Sequence, residues 1–218
     1  MFFSKSMTYD EDERGNSAMA ANLISASRLS VEEEFIERLK SGDAAAFDSL
    51  IIRYSADIYA LLYRLTENAE EAADLTQETF LHALKAIKNF RGEADLKTWL
   101  FRIAVNESRN RFRWWKRRRK DTTISLDAFV GETETPLSET FSSSSVSPEE
   151  NVLQRERQNA LRAALQSLPE IFREAVVCCD IEGLSYEEIA VALGLNVGTV
   201  KSRIARGREE LRRKLKDI

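Results

Sequence analysis

Residues 1–30 place apolar and polar side chains without any period, and from Val31 onward the pattern becomes helical. Phe35, Ile36 and Leu39 predict a short amphipathic helix closed by Ser41 and Gly42. Asp43 then caps a long helix reaching about Leu65. Its apolar positions Phe47, Leu50, Ile51, Tyr54, Ile58, Leu61 and Leu62 recur at three- and four-residue steps, the spacing of one helix face. Asn68, with Glu71 at capping-box spacing, opens a third helix that runs to about Lys88 and buries Ala72, Leu75, Thr79, Leu84 and Ile87 in part. A loop from Phe90 to Asp95, containing Gly92, precedes a fourth helix from about Leu96 to Arg118. Helical periodicity returns near Glu149, with Val152, Leu161, Leu165 and Leu168 on one helix. Pro169 suits the first turn of the next helix, which carries Ile171, Phe172, Val176 and Val177.

The last segment is the most informative. Residues 184–216 read LSYEEIAVALGLNVGTVKSRIARGREELRRKLK: a short helix, a tight turn and a longer helix. Ser185 and Glu188 form a capping box, Gly194 supplies the backbone freedom of the turn, and Asn196 is a good N-cap for the second helix. Ala190 lets the helices approach, and Val200 anchors the second on the first. At 100° per residue, Val200, Ile204, Gly207, Leu211 and Leu215 form the packing stripe. The opposite face carries Gly198, Ser202, Ala205, Arg206 and Glu209, flanked by Thr199 and Lys201. This is a helix-turn-helix pattern, which places its second helix in the DNA major groove. Small residues there permit close approach, Arg206 can pair with guanine, and Ser202 can meet a base or a phosphate.

Composition changes the picture in one respect. The 218 residues carry a net charge of only −4, which by itself argues against nucleic acid. Its distribution argues the other way. Lys97 to Lys120 holds ten Lys or Arg against one acid, and Lys201 to Lys216 holds eight against two. Between them, Asp121 to Glu150 has seven acids and no base, includes Pro136 and Pro148, and runs SSSS at 142–145. Two basic patches separated by an acidic, flexible linker at 121–148 predict two DNA contacts on one chain. The pattern predicts an all-α protein with two small helical domains, 31–120 and 149–218, after a disordered extension at 1–30. Cys178 and Cys179 are adjacent in an apolar run and read as buried small hydrophobes, since a disulfide between neighbours is badly strained. With His82 the only histidine, no metal or cofactor site is expected. The absence of a membrane-length apolar run or a secretory signal leads to an expected cytoplasmic location.

The fourth helix has a second functional face. Arg102, Asn106, Arg109 and Arg113 step by four, three and four, so they share one stripe opposite Leu100, Ile103 and Ala104. Such a row suits a phosphate track with one base-reading group. Trp99, Phe101, Phe112, Trp114 and Trp115 interleave with the cations and can stack on unpaired bases. The alternative is that Trp99 and Phe101 are core and that the KRRRK run at 116–120 is a solvated helix end.

DLTQETF at 74–80 and FRGEADLKTWLFRIAVNESRNRFR at 90–113 resemble conserved region 2 of bacterial RNA polymerase sigma factors. LSYEEIAVALGLNVGTVKSRIARGREELR at 184–212 resembles region 4. The two regions follow one another with no domain between, as in the extracytoplasmic-function group of the sigma-70 family. The resemblance implies that Asp74, Gln77 and Glu78, with a rim of Phe80 and Leu81, dock on the clamp helices of the polymerase beta-prime subunit, with the beta subunit as a further partner. It implies that Phe90 and Arg91 belong to the loop capturing a −10 base, that Arg102, Asn106, Arg109 and Arg113 face −10 DNA, and that Gly198, Thr199, Lys201, Ser202, Ala205 and Arg206 face the −35 element. It implies control by an anti-sigma factor, and a linker that threads toward the polymerase cleft. A plain solvated tether is equally compatible with the linker's charge.

The leading expectation is a dissociable promoter-specificity subunit that is not an enzyme. It would bind core polymerase and promoter DNA and need no cofactor. The competing reading is a helix-turn-helix regulator that binds an operator without polymerase. A nucleic-acid enzyme would want clustered carboxylates or a metal set, and the carboxylates here are scattered along helix faces.

Overall fold

The computed structural model describes residues 31–121 and 148–216. The extension 1–30 and nearly all of the acidic linker lie outside the described residues. The described residues are helical and contain no strand. In chain order they form α1 (31–41), α2 (Ala44–Thr66), α3 (Ala69–Ala86), a 3₁₀ turn (Ile87–Asn89), α4 (Leu96–Asp121), α5 (Pro148–Gln166), α6 (Glu170–Val176), a π-helical turn (Val177–Ile181), α7 (Tyr186–Leu193) and α8 (Val197–Lys214). The chain divides into two compact units. One lies within Met1–Arg53 and Leu84–Phe90, the other within Tyr54–Ala83 and Arg91–Ile218.

The helix starts follow from short polar side chains. Asp43 Oδ1 accepts from the Ala45 and Ala46 amides at 2.9 and 3.4 Å, Asn68 Oδ1 from the Glu71 amide at 2.9 Å, and Asp95 Oδ1 from the Thr98 amide at 2.6 Å. Each satisfies amides that the first turn of a helix leaves unpaired. In the first unit Leu39, Ala46, Leu50, Ile87 and Phe90 are buried. In the second, Ile58, Leu61, Leu62, Leu75, Leu100, Phe101 and Val105 are buried from α2 to α4, and Leu165, Val176, Ile189, Val200 and Ile204 from α5 to α8. Full burial of one such aliphatic side chain stabilises the fold by about 1.5–3 kcal/mol.

Four positions of the apolar patterns are exposed: Ile51 (38%), Leu84 (47%), Leu161 (43%) and Ile171 (46%). Periodicity marks a face of each helix but not how far its neighbours cover it. Leu168 is buried as expected but follows the end of α5 at Gln166, its amide donating to the Leu165 carbonyl at 3.1 Å. Cys178 is buried and free, and burial pushes its thiol pKa up to about 12; Cys179 is half-buried. Glu67 closes α2 in a left-handed conformation (φ 55°), and partial burial raises its carboxyl pKa to about 7.

Candidate nucleic-acid interface

α7 and α8 are built as the sequence predicts. Ser185 Oγ accepts from the Glu188 amide at 3.2 Å, and the Ser185 amide donates to Glu188 Oε2 at 2.7 Å, completing the capping box. Gly194 ends α7 at φ 67°, a left-handed conformation that glycine adopts without the usual side-chain clash. Asn196 Oδ1 then accepts from the Thr199 amide at 2.8 Å and starts α8. Val200, Ile204 and Gly207 are buried. Gly207 is needed for packing: a Cβ there would lie 2.5 Å from Val176 Cγ2 on α6.

This packing leaves Gly198, Lys201, Ser202, Ala205 and Arg206 exposed on the opposite side of α8, with Thr199 half-buried beside them. Lys201 Nζ lies 5.6 Å from the centre of the Tyr186 ring, so α7 helps to position that cation. Other cations of α8 are committed locally. Arg208 donates to both carboxylate oxygens of Asp180 on the π-helical turn, and this contact holds its pKa above the ordinary arginine value. Arg212 and Arg213 pair with Glu209 and Glu210 one turn back. Arg206 has no ion-pair partner among the described residues. The expected DNA face therefore keeps its charge, while the C-terminal half of the helix neutralises much of its own.

On α4 the predicted stripe is only partly available. Arg102 and Asn106 are exposed. Arg113 is exposed and turned back on its own helix, its Nε donating to the Arg109 carbonyl at 3.3 Å. Arg109 departs from the expectation of a free DNA-facing cation. Its Nε and Nη2 donate to Glu174 Oε1 and Oε2 at 2.7 and 2.6 Å, and its Nη1 donates to the Leu193 carbonyl at 3.1 Å. The Glu174 contact is the first cause of a raised Arg109 pKa. Phe90 is buried at 6% exposure, its amide donating to the Ile87 carbonyl at 3.0 Å, so its ring packs inside and is not presented at the surface. Arg91 is exposed, 3.8 Å from Glu93. Phe101 is fully buried, whereas Phe112, Trp114 and Trp115 are exposed. Trp114 packs edge-on against Trp115, and the Arg118 guanidinium lies 4.6 Å from its ring centre. An open groove of about 840 Å³ runs between Glu78 of α3 and Asn110, Arg113, Trp114 and Arg117 of α4.

The predicted docking face on α3 also divides. Asp74, Gln77 and Leu81 are exposed, Leu81 at 56%. Phe80 is buried at 6%, so its ring belongs to the core and not to the rim. Glu78 is half-buried and accepts from Arg111 Nη2 at 2.9 Å.

Sequence reasoning missed a set of polar contacts, several of them between residues far apart in the chain. Arg64 Nη1 donates to Glu182 Oε1 at 2.6 Å, and Arg173 donates to the carbonyls of Leu65, Gln166 and Leu168 at 2.9, 2.7 and 3.1 Å. His82 Nδ1 lies 2.7 Å from Glu107 Oε1. The partners of Arg64, Arg109 and Leu65 are more than sixty residues away in sequence, so no local signal announces them. Among the described residues no cluster of metal-ligating side chains occurs, and no helix is long and apolar enough to cross a membrane.

Known proteins share both halves of this arrangement. The family model for sigma-70 region 2 matches residues 50–119, and that for sigma-70 region 4 matches residues 158–211. The RNA polymerase sigma-H factor of Pseudomonas aeruginosa is 37% identical over 188 residues, covering 86% of this chain and 95% of that protein. The ECF RNA polymerase sigma factor SigW of Bacillus subtilis is 38% identical over 184 residues, covering 84% and 96%. Among solved structures, the sigma factor RpoE of Bartonella quintana, crystallised with the anti-sigma factor NepR, aligns with a TM-score of 0.61 at 26% identity over 78% of this chain and 96% of that one. CnrH, solved with the cytosolic domain of CnrY, shares the fold with a TM-score of 0.61 at 23% identity, over 85% and 97%. Matched along both of its helical regions, and across nearly the full length of these relatives, the chain belongs to the extracytoplasmic-function group of the sigma-70 family of transcription initiation factors.

Proposed function

We propose that this sigma factor is a dissociable, non-catalytic specificity subunit that binds core RNA polymerase and directs initiation at promoters with separate −35 and −10 elements. The observation that carries this reading is the pair of exposed polar faces on two different helices, Arg102 and Asn106 on α4 and Lys201, Ser202 and Arg206 on α8. Phosphate-binding cations fix register on a duplex, and a few side chains at base edges supply sequence preference. Residues 31–120 would carry core and −10 binding and residues 149–218 the −35 contact, with 121–148 as the tether.

Asp74, Gln77 and Leu81 form an exposed mixed polar and apolar patch on α3, suited to a protein partner such as the clamp helices. The beta subunit is a second expected contact on the polymerase. An anti-sigma factor is an expected regulator, supported by the likeness to a sigma factor crystallised with one. The cytoplasm, where polymerase and promoter meet, is the expected location.

Transcription with purified components tests the proposal. Core polymerase plus this protein should start RNA synthesis at a promoter with both elements, and scrambling either element should abolish the product. Equal initiation by core enzyme alone, or sequence-specific operator binding by the isolated protein, would refute it.

A further inference from the structure

Lys201 stands on the flank of α8 nearest α7, beside the face that carries Ser202, Ala205 and Arg206. Its Nζ lies 5.6 Å from the centre of the Tyr186 ring, within reach of the attraction between a cation and an aromatic face. Local structure fixes both ends of this contact. Tyr186 is the first residue of α7, directly after the Ser185 that forms the capping box with Glu188. Lys201 follows Val200, whose side chain is fully buried, and the Asn196 cap holds the first turn of α8. Tyr186 is half-buried and Lys201 exposed, so the ring is set into the fold while the ammonium group stays in water. Three other cations of α8 are held differently: Arg208 by Asp180, Arg212 by Glu209 and Arg213 by Glu210. A carboxylate restrains a cation and cancels its charge. An aromatic ring restrains it and leaves the charge intact.

We propose that Tyr186 is a positioning residue for promoter recognition: its ring holds Lys201 at the edge of the −35 face with the charge free, and so sets the base preference that Lys201 confers. This rests on the assignment of the α8 face to the −35 element. Lysine is a point charge on a flexible four-carbon stem with three N–H donors, and immobilising such a side chain on binding costs entropy. A ring that already restrains the ammonium group removes part of that cost before DNA arrives. In the major groove guanine offers two acceptors, O6 and N7, whereas adenine sets an N6 amino donor beside its N7. A lysine held at one place along the groove therefore favours guanine there. A lysine free to swing satisfies itself on the nearest phosphate, which carries no sequence information. Tyr186 thus acts on base choice without itself touching a base.

The test uses the full chain with core polymerase and a pool of promoters randomised across the −35 element, transcribed together so that base preference is read as a ratio of products. A ratio within one reaction does not move with the fraction of protein that is folded, and circular dichroism checks that helicity is kept. Lys201→Met identifies the position whose preference depends on the lysine. At that position Tyr186→Leu should reduce the preference by about two- to fivefold, the range of an exposed cation–π contact, and leave the other positions unchanged. Tyr186→Phe keeps the ring and should retain the wild-type preference. Tyr186→Leu combined with Lys201→Met should match Lys201→Met alone, the non-additivity of two residues that act through one contact. Three results would overturn the inference. Tyr186→Phe as damaging as Tyr186→Leu would make the hydroxyl the active group. An equal Tyr186→Leu loss with and without Lys201 would sever the two residues. A wild-type base preference in Lys201→Met would leave Tyr186 nothing to position. Wild-type protein run in parallel separates these results from failure of the functional assignment, because only that failure removes all −35 preference from the wild type.

Discussion

Single residues in this protein do work that their side chains alone do not advertise. Gly207 is the clearest case. It lies in the middle of α8, where glycine costs helix stability relative to alanine by roughly 0.5–1 kcal/mol. The structure supplies the reason: an added Cβ would lie 2.5 Å from Val176 Cγ2 and 3.3 Å from the Phe172 carbonyl oxygen. Propensity favours alanine and packing opposes it. Overpacking a filled core costs about 1–3 kcal/mol, so packing should win. Gly207→Ala is expected to lower the urea midpoint by a corresponding amount, whereas a rise in stability would show that α6 and α8 can separate freely. Phe80 and Phe90 teach the same lesson from the other side, since both stand inside motif segments that the family resemblance links to binding and both are buried.

At the scale of the element, α8 is a helix with two chemistries along its length. Its first half presents Lys201, Ser202 and Arg206 outward, and its second half pairs Arg212 and Arg213 with glutamates one turn back. Arg206 should therefore read bases, while Lys214, near the end, should meet phosphate at most. Arg206→Ala is expected to cost about 1–3 kcal/mol at the preferred −35 sequence and to relax base preference there. Lys214→Ala should weaken all sequences alike or have no effect. Transcription from promoters randomised across the −35 element distinguishes them, and a uniform loss in Arg206→Ala with intact preference would reassign it as a phosphate contact. α4 is the contrasting element: Arg102 and Asn106, proposed to meet DNA, are exposed, whereas Arg109 is held by Glu174.

For the whole molecule the question is how DNA contacts and a polymerase contact coexist on so small a protein. Asp74 and Gln77 are exposed on α3, and Glu78 beside them is tied to Arg111 of α4. Asp74→Lys therefore changes the docking patch without breaking an ion pair within the described residues. It should weaken capture of core polymerase in a pull-down by about tenfold, a loss of about 1.4 kcal/mol, with helicity unchanged. Undiminished capture would remove this face from the polymerase contact.

The features legible along the chain are local. The helices, their caps at Asp43, Asn68, Ser185 and Asn196, the left-handed turn at Gly194 and the packing stripe of α8 all depend on residues within a few positions of one another, and periodicity with capping chemistry reads them directly. The two separated basic regions were legible for the same reason, because charge along a chain can be counted. Which members of each stripe are available depends instead on how the helices pack. Ile51, Leu84, Leu161 and Ile171 lie exposed although the periodicity puts them in apolar patterns, and Arg109 is occupied because α6 and α7 bring Glu174 and the Leu193 carbonyl to it. Those outcomes depend on groups tens of residues apart, whose meeting is set by how helices pack and leaves no trace in the local pattern.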